Sequence, residues 1–150
     1  MTGPKGGLIL AIDTTSEYES LALAREEQVI DAVSIHSREG FGHLLFQQIL
    51  GLLERHGLSL PAIEGYAAAN GPGSFTGVRI GLTAAKGPAE AHGKRVVPVS
   101  NLKALAYAGE GELRAAVIDA RRGEIYGRYT TPGCGWLWRK LSPRGPASWR

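Results

Sequence analysis

The sequence predicts an α/β domain, a mixed sheet with helices packed on it. Three observations carry this. Three apolar stretches lie close together near the N-terminus, joined by connections that suit antiparallel strands. Two helical patterns follow, each ahead of another short apolar run. Strands first, then alternation with helices, is the order of a mixed sheet with helices on it.

"LILAIDT" (8–14) is a short apolar run ending in polar residues, which reads as a buried strand. "ESLALA" and "QVIDAVSI" are two more strands, and "REE" between them is short enough for a meander. "FGHLLFQQILGLLERHG" has helical periodicity, and Gly57 suits its left-handed C-terminal cap. "IEGYAAAN" reads as a strand running into "NGPGSFTGVRIG", and a helix follows from about Phe75. Pro88 lacks an N–H and crowds the carbonyl four residues back, which predicts a kink or stop at Ala84–Gly87. "KRVVPVS" is a strand and "NLKALAYA" a short helix, with Ser100 or Asn101 as N-cap. "ELRAAVIDA" and "GEIYGRYT" are strands hinged on "RRG".

The 150 residues suffice for one domain with its own core. No apolar run approaches the roughly 20 residues of a membrane span, and Asp13 interrupts the first apolar run too early for a signal peptide. Cys134 is the single cysteine, so no internal disulfide can form and a reducing, cytoplasmic location is expected. The net charge is +3, but all 14 acidic residues precede residue 132. Without the four basic residues beyond that point, 13 basic face 14 acidic side chains, so the body of the chain is not a basic nucleic-acid surface in bulk. The stretch 132–150 holds all three tryptophans, three prolines and no acid, and lacks clean periodicity. It is expected to be a mobile extension of a domain spanning 1–131.

The glycines of "NGPGSFTGVRIG" raise the question of a phosphate cradle. A Walker loop needs Lys and then Ser or Thr after its last glycine, whereas Val78 and Arg79 follow Gly77. Gly71, Gly73 and Gly77 miss the G-x-G-x-x-G spacing by one. Gly73, Gly77, Gly81 and Ala85 instead recur every fourth residue, a ridge of minimal side chains that lets another backbone come close. For that helix alone, packing inside the domain is the safer expectation. The preceding helix shifts it: Leu45, Phe46, Ile49, Leu50, Leu52 and Leu53 sweep roughly 160°, wider than the stripe of about 100° that one sheet contact needs. Two helices with spare packing surface point to a helix-to-helix protein interface.

Asp13 and Asp119 each sit at a strand end, where paired carboxylates hold magnesium in two-metal nucleases and actin-like sugar kinases. The residues after Asp119 are "ARR" rather than the glycines of a second phosphate loop, and Asp13 equally suits a turn-forming role in "DTTSE". His36, His43, His56 and His92 form no H-x-x-x-H pattern, and His56 is explained by its place near a helix C-terminus. Ser74 lies outside a G-x-S-x-G elbow, and Cys134 has no visible activator.

Five stretches together resemble the TsaB family, also called YeaZ: "LILAIDTTSEYESLAL", "HLLFQQILGLLERHGL", "GPGSFTGVRIGLTAAKG", "VVPVSNLKALA" and "VIDARRGEIYGRY". They match in order and spacing over about residues 8–130. The resemblance implies a Gcp-like domain of the actin/Hsp70-like (ribonuclease H-like) class, N-terminal lobe only. The family continues past "IYGRY" into a second lobe, and here the likeness stops near Thr131, so that lobe is expected to be missing or replaced. The resemblance further implies a non-catalytic scaffold that activates TsaD in the bacterial complex with the ATPase TsaE. That complex makes N6-threonylcarbamoyladenosine at position 37 of tRNA, and this subunit would meet tRNA indirectly. Helices at about Gly42–His56 and Phe75–Gly87 would bundle with those of TsaD, or with a second copy in a homodimer.

The partner-binding residues expected on this basis are Leu45, Phe46, Ile49, Leu50, Gly73, Gly77, Val78, Gly81, Leu82 and Ala85. No intrinsic cofactor, catalytic residue or metal is expected. A nucleotide (ATP or ADP) would belong at a shared interface, with Asp13, Thr14, Thr15 and Asp119 as a degenerate nucleotide site. The rival reading is an actin-like ATPase or phosphotransferase that uses Asp13 and Asp119.

Overall fold

A computed structural model describes residues 6–36, 44–131 and 134–141, with backbone alone from Thr130 on. The chain divides into two units, 1–99 and 100–150. The last three strands form a sheet of their own.

The first unit holds β1 (Leu8–Asp13), β2 (Tyr18–Arg25), β3 (Gln28–His36), α1 (Leu45–Glu54), β4 (Gly65–Ala69), α2 (Phe75–Ala91) and β5 (Arg95–Val99). Its sheet runs β3-β2-β1-β4-β5. The β1–β2–β3 meander is antiparallel, and β4 and β5 add in parallel on the other side of β1. This is the mixed α/β sheet expected from the sequence. Alternation along β1 sends Leu8, Leu10 and Ile12 to one face, where Leu21 and Leu23 of β2 join them. Leu45, Ile49, Leu52 and Leu53 of α1 and Ala85 and Ala89 of α2 close the same cluster, so both helices cover one face of the sheet. Leu10, Leu23, Ile49, Leu52 and Ile63 are fully buried. Each such side chain contributes about 1.5–3 kcal/mol relative to exposure.

Both helices end as their glycines dictate. Leu58 N–H donates to Leu53 O (2.9 Å) and Gly57 N–H to Glu54 O (2.9 Å), with Gly57 at φ +62°. Lys94 and Gly93 repeat the arrangement on Ala89 and Glu90, with Gly93 at φ +63°. These left-handed caps satisfy carbonyls that the helix leaves open. The expected start of α1 at Gly42 falls outside the described residues. Pro88 does not stop α2, which runs through it to Ala91. The proline forfeits one backbone bond, but Pro88 and Ala89 are buried and keep the helix packed on through that point.

The second unit holds α3 (Asn101–Tyr107), β6 (Arg114–Arg121), β7 (Glu124–Thr131) and β8 (Cys134–Leu141). The sheet is antiparallel, in the order β6-β7-β8. Leu102 and Ala106 of α3 pack with Ala116, Ile118 and Tyr126. Cys134–Leu141, expected to be part of a mobile tail, is instead a strand on β7. It gives backbone partners to an edge that would otherwise be open. Residues 142–150 of that tail, with Trp149, lie outside the described residues.

Candidate partner-binding face and the β1–β2 turn

The small-residue ridge of α2 is turned inward, onto the turn that follows β1. A Cβ added at Gly77 would overlap the Thr14 carbonyl oxygen and lie 2.9 Å from its carbon. At Gly81 it would lie 2.6 Å from Thr14 Oγ1, and at Gly73 2.6 Å from Thr15 O. Ala85 is fully buried in the core cluster. Two hydrogen bonds fasten this approach: Thr14 Oγ1 donates to Gly77 O (2.6 Å) and Ser74 N–H donates to Thr15 O (2.7 Å), while the Ser74 hydroxyl caps α2 itself by accepting from Gly77 N–H (3.1 Å). Gly77, Gly81 and Ala85 are therefore removed from the expected partner face, whereas Gly73, ahead of the helix, stays exposed. The missing side chains of Gly73, Gly77 and Gly81 make room for this chain's own β1–β2 turn.

The same geometry accounts for the nucleotide-site candidates of the first unit. Asp13 Oδ1 accepts from Thr15 N–H (2.9 Å) and from Thr15 Oγ1 (2.7 Å). Thr14 and Thr15 are buried, with their hydroxyls committed to Gly77 and Asp13. Asp119, in the other unit, repeats the motif: its Oδ1 accepts from Arg121 N–H at 2.7 Å. Each carboxylate pins the backbone two residues on, the turn-forming role the sequence left open for Asp13. Among the described residues no group of three or more His, Cys, Asp or Glu is placed to hold a metal ion.

On α1, Leu45 and Ile49 are buried and belong to the core, which removes them from the partner face as well. The surplus arc is wet: Phe46 is 44% and Leu50 47% exposed, and Leu44 just ahead of the helix is exposed too. Val78 and Leu82 of α2 are half-buried. Phe75, which the sequence reading passed over, is 74% exposed at the start of α2, with the Arg79 guanidinium 5.6 Å from its ring centre. Its position at 100° per residue, beside Arg79 and Thr83 on the outer face, was the signal available. An apolar groove of about 430 Å³ lined by Leu50, Leu53, Leu58, Leu60, Pro61 and His92 adjoins the α1 part of this surface.

Asp31 on β3 ties down the end of α1. Its Oδ2 accepts from Arg55 Nη2 at 2.9 Å and Nε at 3.2 Å, and lies 2.8 Å from His56 Nε2. The His56 hydrogen bond first, then Arg55, hold its carboxyl down at about 2. Glu19 on β2 was also missed. It is 4% exposed, and burial pushes its carboxyl up to about 7. Alternation of Glu19 with Leu21 and Leu23 already placed it on the core-facing side.

Comparison with known proteins bears on what this surface is for. Residues 41–132 match the family model described as TsaD: tRNA N6-adenosine threonylcarbamoyltransferase. The solved YeaZ structure from Pseudomonas aeruginosa is 32% identical and superposes with a TM-score of 0.80, over 96% of this chain and 72% of that one. The chain belongs to the TsaB (YeaZ) family. Two curated TsaB proteins, named as tRNA threonylcarbamoyladenosine biosynthesis proteins, are also similar. That of Haemophilus influenzae is 37% identical over 122 residues and that of Escherichia coli 39% over 122, each across 79% of this chain. The chain spans about half the length of these TsaB relatives, 51% and 52%. Among the described residues no helix is long and apolar enough to cross a membrane.

Proposed function

We propose that this TsaB-family chain is a non-catalytic scaffold and activator in tRNA N6-threonylcarbamoyladenosine synthesis, docking a TsaD-type partner through the outer faces of α1 and α2. The observation that carries the reading is the exposed apolar surface of Phe46 and Leu50 on a helix whose opposite face is already fully packed. Such side chains are retained in water where another protein covers them. Val78, Leu82 and Phe75 extend the surface onto α2. The names of the curated relatives support the pathway, and the family model supports a TsaD-related assembly. In the partner's absence the same face pairs two copies of the chain, and TsaE and tRNA join through the assembled complex. Turn-forming roles for Asp13 and Asp119 fit a subunit that leaves the chemistry to its neighbour.

The test is the double variant Phe46→Asp/Leu50→Asp. Both side chains are exposed, so the fold should survive, while two charges at the centre of an apolar contact should weaken partner binding by at least about 100-fold. Co-elution with the cognate TsaD reads this directly. Unchanged co-elution by the folded variant, or turnover of substrate by the chain alone, overturns the reading.

A further inference from the structure

Charge is divided unevenly between the two units. Residues 1–99 carry eight Lys and Arg against ten Asp and Glu, a net −2, whereas residues 100–150 carry nine against four, a net +5. Within the second unit the charge is further sorted along the sheet. Glu110 and Glu112 precede β6 beside Arg114 at its start, whereas Arg121 ends β6 and Arg122 opens the β6–β7 turn at its far end. The strand register brings Leu141 opposite Ile125, Lys140 opposite Tyr126 and Arg139 opposite Gly127, so the basic stretch of β8 arrives at that same end. The acids there are Glu124 and Asp119, and Asp119 holds the turn through Arg121 N–H.

The turn itself is unusual in its choice of residues. Arg121 and Arg122 both sit in the left-handed region, at φ +63° and +57°, where glycine or asparagine is held with less strain. Both side chains are exposed. Arginine kept at a backbone position that disfavours it points to use of the guanidinium. Two adjacent planar forks on a projecting turn suit phosphate oxygens, which they can bind bidentately.

We infer that the β6–β7 turn end of this sheet, carrying Arg121 and Arg122, is a contact surface for RNA phosphates. The choice of RNA among polyanions rests on the function proposed above, and the surface itself rests on the charge sorting and the turn. The contact is to backbone phosphate, so it positions RNA without reading its sequence.

The test is Arg121→Asn/Arg122→Asn in the full chain. Asparagine adopts the left-handed turn readily, so the variant should fold at least as well as the parent. Binding to an unmodified tRNA transcript is followed by fluorescence anisotropy over a salt series. Affinity should fall about tenfold or more at low salt, and the slope of log K against log salt should shrink by about 1–2. Arg95→Gln, at an exposed position in the other unit, should change neither. Equal tRNA binding and slope in the Asn variant overturn the inference, as does equal loss in Arg95→Gln or equal competition by polyglutamate and RNA. Capture of the TsaD-type partner is read in the same samples. Partner capture with unchanged RNA binding refutes this inference alone, whereas failure of the unaltered chain to capture the partner refutes the scaffold reading.

Discussion

Alanine at three glycines of α2 gives a graded test of which way that helix faces. At Gly77 the added methyl would overlap the Thr14 carbonyl oxygen, which belongs to backbone and cannot rotate aside. Overpacking of this kind costs about 1–3 kcal/mol. Moving α2 away would also weaken the buried Thr14–Gly77 hydrogen bond, at about 1–3 kcal/mol more. The better helix propensity of alanine offsets roughly 0.5–1 kcal/mol. The net loss for Gly77→Ala is then about 1–5 kcal/mol, a sizeable part of the 5–15 kcal/mol typical of a domain. At Gly81 the nearest atom is a hydroxyl, Thr14 Oγ1, so the loss should be smaller, about 1 kcal/mol. At Gly87 nothing lies within 4 Å, and Gly87→Ala should stabilise by about 0.5–1 kcal/mol. Urea unfolding followed by far-UV circular dichroism measures all three. If Gly77→Ala unfolds within about 0.5 kcal/mol of the parent and loses the partner instead, the ridge faces another protein and the packing argument fails.

Two acidic residues should shape stability against pH, in opposite directions. Glu19 is held neutral in the fold with its carboxyl raised from 4.5 to about 7, so the folded state binds the extra proton. Stability is complete below about pH 4.5 and falls as pH rises to about 7, by at most about 3 kcal/mol. Glu19→Gln should flatten that slope in urea melts between pH 5 and 8; a parent protein already flat over this window contradicts the burial argument. Asp31 is lowered from 3.8 to about 2, so its contribution is present above pH 3.8 and is lost as pH falls through about 2. Asp31→Asn should reduce amide-exchange protection at the end of α1, around Arg55–Leu58, and equal protection in the variant would show that the tie to β3 is idle.

Much of this molecule is legible in local patterns. The period-2 alternation of "LILAID" and the wide apolar arc of "LLFQQILGLL" depend only on which residues neighbour which, and they recover the strands of the first sheet, α1 and its exposed edge. The family likeness rests on the same kind of linear information. Phe75 and Glu19 were available from periodicity too, since each follows from counting along its own helix or strand.

What the chain by itself determined was the set of elements, their apolar faces and the presence of a helix able to take a very close neighbour. Tertiary structure alone decided who that neighbour is. A ridge of glycines looks the same in sequence whether a strand turn of the same chain or a helix of another fills it, and the deciding atom, the Thr14 carbonyl oxygen, lies 63 residues from Gly77 along the chain. The same holds for Asp13 and Asp119, whose carboxylates could serve a ligand or a turn until their hydrogen-bond donors were placed. It holds for Cys134–Leu141, which became a strand because β7 offered it an open edge. Contacts between residues distant in sequence depend on where the backbone goes in space, which no local periodicity encodes.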